Sequence, residues 1–112
     1  MDTMLTLAAE RDGEGYLIDP EAWDRDLARG LAAEEGLVLD ALAWSIVDFM
    51  RAYWQEHRVA PDVRHVLEHL AQAHGLGRQA AKDSLFRVFP YGYVKQACKI
   101  AGMMRPRAWS TG

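Results

Sequence analysis

A chain of 112 residues, half of them hydrophobic and 26% charged, with a formal net charge of −3, has the size and composition of one globular domain around a single core. No apolar run approaches the ~18 residues that a bilayer-spanning helix needs, which excludes that class of membrane protein. The single cysteine, Cys98, cannot close an internal disulfide, and a lone cysteine supplies no zinc finger.

The opening residues, Met1 to Leu7, carry an acid where a secretory signal carries base. A reducing cytoplasm is therefore the expected home. The net charge conceals a division. Residues 1–76 hold six bases and fifteen acids, a net of −9, whereas residues 77–112 hold seven bases and one acid, a net of +6. Such asymmetry predicts an electrostatically directed surface at the C-terminal end, facing an acidic protein groove or a nucleic acid.

In chain order, Asp12-Gly13 between two apolar runs is a turn signal, and residues 3–18 are expected to form a small β-hairpin lying on helices. Asp19-Pro20-Glu21 has the composition of a helix start, with a capping acid, a proline at the first turn and a second acid at the positive end of the dipole. The first helix then runs toward Gly36 with Trp23, Leu27 and Leu31 on one face. Asp40 caps a second helix, about 41–57, whose stripe is Leu42, Ile46, Phe49, Met50 and Tyr53, widened by Val47 and Trp54. Pro61-Asp62 opens a third, with Val63, Val66, Leu67, Leu70 and Ala71 inward and Gly75 at its end. A fourth spans about 78–89, with Ala81, Leu85, Val88 and Phe89 inward, and Pro90 stops it. A fifth runs from about Gly92 to Ala101, with Gly102 suited to the position after its end. Beyond it, Pro106 breaks any helical period. The expected fold is mostly α: a five-helix domain over residues 1–102 with an N-terminal β-hairpin, followed by a flexible basic arm, 103–112.

The chemistry concentrates at the C-terminal end. Cys98 shares a helical face with Val94, Ala97 and Ala101, and Lys95 and Lys99 flank it about 100° to either side. Two readings stand: a buried core cysteine, or a thiol acting as nucleophile or persulfide acceptor whose thiolate the two ammonium groups favour. The arm carries Arg105, Arg107 and Trp109 with two methionines, residue types that anchor interfaces.

Other patterns are weaker. His65-Val-Leu-Glu-His69 matches the H-x-x-E-H metallopeptidase pattern, but both histidines fall opposite the Val63–Leu70 stripe and no further ligand helix is evident. No metal and no cofactor is expected. The third and fourth helices, joined at Gly75-Leu-Gly77, have the outline of a helix-turn-helix with Arg78, Lys82 and Arg87, which keeps DNA as a runner-up partner. Glu34-Glu35 and Asp24/Asp26 read as solvated helix charges. A Gly-rich phosphate loop, paired catalytic carboxylates and a Ser-His-Asp set are all missing from the sequence.

The run Gly92-Tyr-Val-Lys-Gln-Ala-Cys98-Lys-Ile-Ala-Gly102, followed by a basic, proline-containing arm, resembles the C-terminus of the DsrC/TusE sulfur-relay proteins. Gly15-Tyr-Leu-Ile-Asp-Pro-Glu-Ala-Trp23, Ala33-Glu-Glu-Gly-Leu37 and Leu85-Phe-Arg-Val-Phe-Pro-Tyr-Gly92 also fit, so the resemblance covers nearly the whole chain. It implies a persulfide carrier acting in tRNA thiolation or dissimilatory sulfur metabolism. Its partners would be a relay donor and an acceptor, either a tRNA-thiolating enzyme or a sulfite-reductase system. By position Cys98 matches the family's second cysteine, the one that can form a disulfide with the arm cysteine; here it is the expected sulfur-handling residue, with Lys95, Lys99, Arg105, Arg107 and Trp109 expected to bind partners. The chain departs from the family at one place. The arm cysteine that carries sulfur in the family lies ten residues beyond Cys98, not counting either, and Trp109 stands there. An internal disulfide between the two cysteines is therefore excluded. The alternative is a non-transferring regulatory or interaction protein of the same fold.

Overall fold

Aspartates and glycines set the helix boundaries in the computed structural model, which describes residues 9–104. Asp24 accepts from the Leu27 N–H at 2.8 Å and starts α1 (Arg25–Glu34). Asp40 accepts from Ala43 at 2.8 Å and starts α2 (Ala41–His57). Asp62 accepts from Arg64 and His65 and starts α3 (Val63–His74). Each carboxylate satisfies donors that the first helical turn leaves without partners. α4 (Arg78–Val88) follows α3 after Gly75, which adopts φ 67°. α5 (Tyr93–Cys98) is wound as a π-helix and continues as helix through Ile100.

The buried faces largely follow the expected stripes. Leu27 and Leu31 are buried with Ala28 and Ala32, and α2 buries Ile46, Val47, Met50 and Trp54. α3 gives Val66 and Leu70, and α4 gives Ala81 and Leu85, with Phe89 just beyond it. α5 is buried nearly all round: Tyr93, Val94, Gln96, Ala97, Cys98 and Ile100 are all inside. Only Lys95 is exposed on it.

Three expectations need correction. The N-terminal β-hairpin is not formed among the described residues, and residues 3–8 lie outside them. One antiparallel bridge, Arg11 to Leu17, is present without strands. The Asp12 carboxylate accepts from the N–H groups of both Glu14 and Tyr16, donors that a ladder would use. Tyr16 and Leu17 are buried consecutively, which breaks the alternation of a strand. The first helix is also not continuous from Pro20. A 3-10 turn, Pro20–Ala22, ends at Trp23, whose extended ψ of 140° is followed by a fresh start at Asp24. Third, the histidines of the H-x-x-E-H pattern are half-buried against α2 rather than standing clear of the packed face. His65 and His69 lie in the seam with α2, where His69 stacks on Phe49 and His65 packs at Tyr53.

Candidate functional site

α5 begins at Gly92, whose φ of 94° with ψ 179° is a conformation open essentially to glycine alone. The widened winding follows. The Val94 carbonyl accepts from the buried Tyr16 hydroxyl at 2.9 Å. Gln96 accepts from the Tyr91 N–H at 2.8 Å and donates to Glu35 at 2.9 Å. Glu35 also pairs with Lys99 at 3.3 Å. One carboxylate at the end of α1 thus holds two residues of the cysteine-bearing helix, Gln96 and Lys99, from either side of Cys98 in sequence.

The C-terminal end of α5 is fastened just as closely. Met103 N–H donates to the Cys98 carbonyl, and the Trp23 indole N–H donates to Ile100, both at 2.9 Å. Arg51 donates to Ala101 at 3.1 Å and to Pro20 at 2.9 Å. Its guanidinium is sandwiched between the Trp23 and Trp54 rings, 4.6 and 5.1 Å from their centroids. Burial lowers the Arg51 pKa from its ordinary value, with Glu21 opposing. Carbonyls left over at the helix end therefore find donors from three other segments. The expected arm starts at Met103, yet Met103 is buried against the core.

Cys98 itself is fully buried. Burial pushes its thiol up to about 12, against a smaller downward effect from a hydrogen bond with Tyr93. Neither flanking lysine contributes to this shift: Lys95 points to solvent and Lys99 is bound to Glu35. Tyr93 is buried too, and its hydroxyl donates to the Pro61 carbonyl at the start of α3. Arg105, Arg107 and Trp109 lie outside the described residues.

Sequence reasoning missed the roles of five residues around this site. Glu35 is an anchor rather than a solvated charge, and Asp24 of the same group is a cap. Trp23, Arg51 and Tyr93 act through contacts 32 to 77 residues away in sequence, beyond the reach of local pattern.

A family model described as "DsrC like protein" matches residues 4–108. The chain belongs to this family. The sulfurtransferase TusE of Pectobacterium atrosepticum is 39% identical over 95 residues, covering 85% of this chain and 86% of that protein. The TusE of Yersinia pseudotuberculosis is 38% identical over 97 residues, covering 87% and 89%. Among solved structures, the oxidized gamma-subunit of the dissimilatory sulfite reductase, DsrC, of Archaeoglobus fulgidus superposes with a TM-score of 0.78 at 30% identity, covering 90% and 91%. DsrC of Allochromatium vinosum gives 0.74 at 34% identity, covering 88% of each chain.

These likenesses establish the mostly helical DsrC-like fold and a sulfur-relay protein. They give no support to the alternative of a non-transferring or DNA-binding protein. Arg78, Lys82 and Arg87 are exposed charges on α4. Among the described residues no group of three or more metal-binding side chains occurs, and no helix is long and apolar enough to cross a membrane.

Proposed function

We propose that this DsrC-like protein relays sulfur through Cys98. The observation that carries the reading is positional. The family match spans residues 4–108, and within it the chain has a single thiol, set in the run that resembles the family's cysteine-bearing C-terminus. The step is a sulfur exchange without net oxidation. The Cys98 thiolate attacks the terminal sulfur of a donor persulfide, and a new Sγ–S bond forms. The donor's S–S bond breaks, its electron pair stays on the donor sulfur, and that sulfur takes up the proton Cys98 gave away. The reverse attack by an acceptor thiol releases the sulfur again.

At neutral pH burial holds Cys98 as the thiol, so docking of a partner would have to uncover it. Residues 103–112 are the proposed docking arm, rooted at the buried Met103, with Arg105, Arg107 and Trp109 as its anchors and the exposed Lys95 as a further contact. The donor and acceptor would be relay proteins, the acceptor a tRNA-thiolating enzyme or a sulfite-reductase system, in a reducing cytoplasm. With Trp109 in place of a second thiol, release runs to a partner and not through an internal disulfide.

Intact-mass analysis after incubation with a persulfide donor, beside Cys98→Ser, tests this. A reducible adduct of one sulfur on the parent alone supports the carrier. No adduct, with Cys98 also inert to alkylation in the folded protein, makes it a core residue and sinks the reading.

A further inference from the structure

α2 and α5 release the chain side by side. α2 closes at Arg58, which takes φ 61° where Gly75 takes 67° at the end of α3. Glycine holds that conformation freely and a side chain resists it. Arg58 is held there by its own side chain, whose guanidinium lies over Trp54, 4.4 Å from the ring centroid, and donates to Glu21 at 2.9 Å. Val59 and Ala60 leave this helix end alongside Met103 and Met104, which leave α5. With Trp54 and Arg58 they wall a groove of about 380 Å3, at the small end of the range for ligand sites and sized for one large side chain. Its walls are mostly apolar and stand open to solvent. Val59 and Met104, both in the wall, are 58% and 59% exposed.

We propose that this groove is the resting seat of Trp109, with the chain's own arm folded back onto the domain. Trp109 is the only large apolar side chain among residues 105–112, and it follows Met104 by five residues. Five residues reach at most about 17 Å, so the indole stays near a wall that Met104 itself forms. So short a tether gives it a local concentration in the millimolar range, which favours it over a free occupant. In the sequence, Pro106 stands second in Arg105–Ala108, where its fixed φ favours a turn that sends the chain back. The walls suit an indole. Methionines make soft contacts with aromatic rings, and the Arg58 guanidinium, stacked on one tryptophan and still more than half exposed, can take a second. A partner would first have to displace Trp109, so this anchor is kept out of reach at rest. Met103 links the seat to the thiol, because it lines the groove and its N–H donates to the Cys98 carbonyl at 2.9 Å. The seat goes beyond the carrier reading and does not depend on it.

The test uses the full chain with isotope-labelled methionine methyl groups, followed by NMR. In the parent, the Met104 methyl is expected upfield of its position in Trp109→Leu, because a seated indole shields it, and the difference should persist on dilution. Trypsin then reports on the arm, which it cuts after Arg107 but not between Arg105 and Pro106. Val59→Asp sets a charge in the apolar wall at an exposed position and leaves the arm intact. It is expected to move the Met104 methyl to its Trp109→Leu position. It should also speed the Arg107 cut about tenfold or more, since cleavage follows the open population. Arg58→Gly keeps the backbone turn and removes a different wall, with the same two outcomes expected, and it decides should Val59→Asp fail to fold. An equal Met104 shift in the parent and Trp109→Leu overturns the proposal. So do equal cleavage rates in the parent and the wall variants. A shift that fades on dilution assigns the groove to a second copy of the chain, and overturns it too. Persulfide uptake is not read in these experiments, so the carrier reading stands or falls separately.

Discussion

Gly102 lies so close to Trp23 that a Cβ on it would stand 2.4 Å from the indole Cδ1. Its φ is 76°, a conformation that side chains resist. Both conditions come from the same design. The chain must turn sharply as it leaves the cysteine helix, and it must do so against the indole whose N–H caps Ile100. Gly102→Ala adds a backbone penalty of about 1–2 kcal/mol and overpacking of about 1–3 kcal/mol. Thermal denaturation should show a loss of roughly 3 kcal/mol, on the order of 10–20 °C for a domain of this size. An unchanged melting temperature would mean that Trp23 can step aside freely, and that the base of the arm is loosely held.

The buried thiol makes stability depend on alkaline pH. In the folded chain Cys98 is raised from 9.0 to about 12, so the unfolded chain loses this proton first. Its contribution is complete below the unfolded value and is lost as pH rises from there through the folded value. Each pH unit in that window removes about 1.4 kcal/mol. Tyr93, also raised, adds a parallel loss, which a Cys98→Ala variant retains. Denaturant midpoints measured upward from about pH 8.5 should therefore fall more steeply for the parent than for Cys98→Ala. Equal slopes would show that the thiol titrates as freely in the folded chain as in the unfolded one.

What the sequence discloses about this site follows the range of the interactions. Asp40 and Asp62 are legible as caps because a cap is a matter of three residues, and the α2 to α4 stripes are legible because helical period is local. Cys98 is legible as a candidate through its surrounding run. Its burial is not, since α5 is enclosed on almost every side by segments remote in sequence. Lys95 and Lys99 look equivalent around Cys98 until Glu35, 64 residues from Lys99, claims one of them. Tyr93 is hidden for a related reason. Its hydroxyl reaches Pro61, 32 residues away, and the π-winding accompanies Tyr16 and Gln96 contacts that no local pattern contains. The hairpin reading fails on Asp12, which serves as turn signal in the sequence and as competitor for backbone donors in the fold.

Glu35 separates two kinds of support for α5. Its Oε1 accepts from buried Gln96 and its Oε2 pairs with Lys99, itself only partly exposed. Glu35→Ala leaves the Gln96 amide without that acceptor inside the protein, a loss of about 1–3 kcal/mol. Glu35→Gln keeps an acceptor for Gln96 and surrenders only the ion pair, worth about 1 kcal/mol or less at a half-open position. Chemical denaturation should accordingly rank parent, Glu35→Gln and Glu35→Ala in falling order. Two variants of equal stability would assign the whole effect to the charge.

Ser45 joins two histidines through one hydroxyl, with Nε2 of His69 and of His74 each 2.9 Å from its Oγ. A single hydroxyl hydrogen cannot satisfy both nitrogens as acceptors, so at least one ring donates to the oxygen. Burial first, and the neighbouring His74 second, lower the His69 pKa from its ordinary value. The unfolded chain thus binds this proton before the folded chain does. Stability is then retained above the ordinary histidine range and lost as pH falls through it. His69→Phe keeps a ring to stack on Phe49 and removes the titration. Followed from about pH 7 down to pH 5 by denaturant midpoint, the variant should lose stability less steeply than the parent. Parallel curves would assign the acid sensitivity of the α2–α3 seam to other groups.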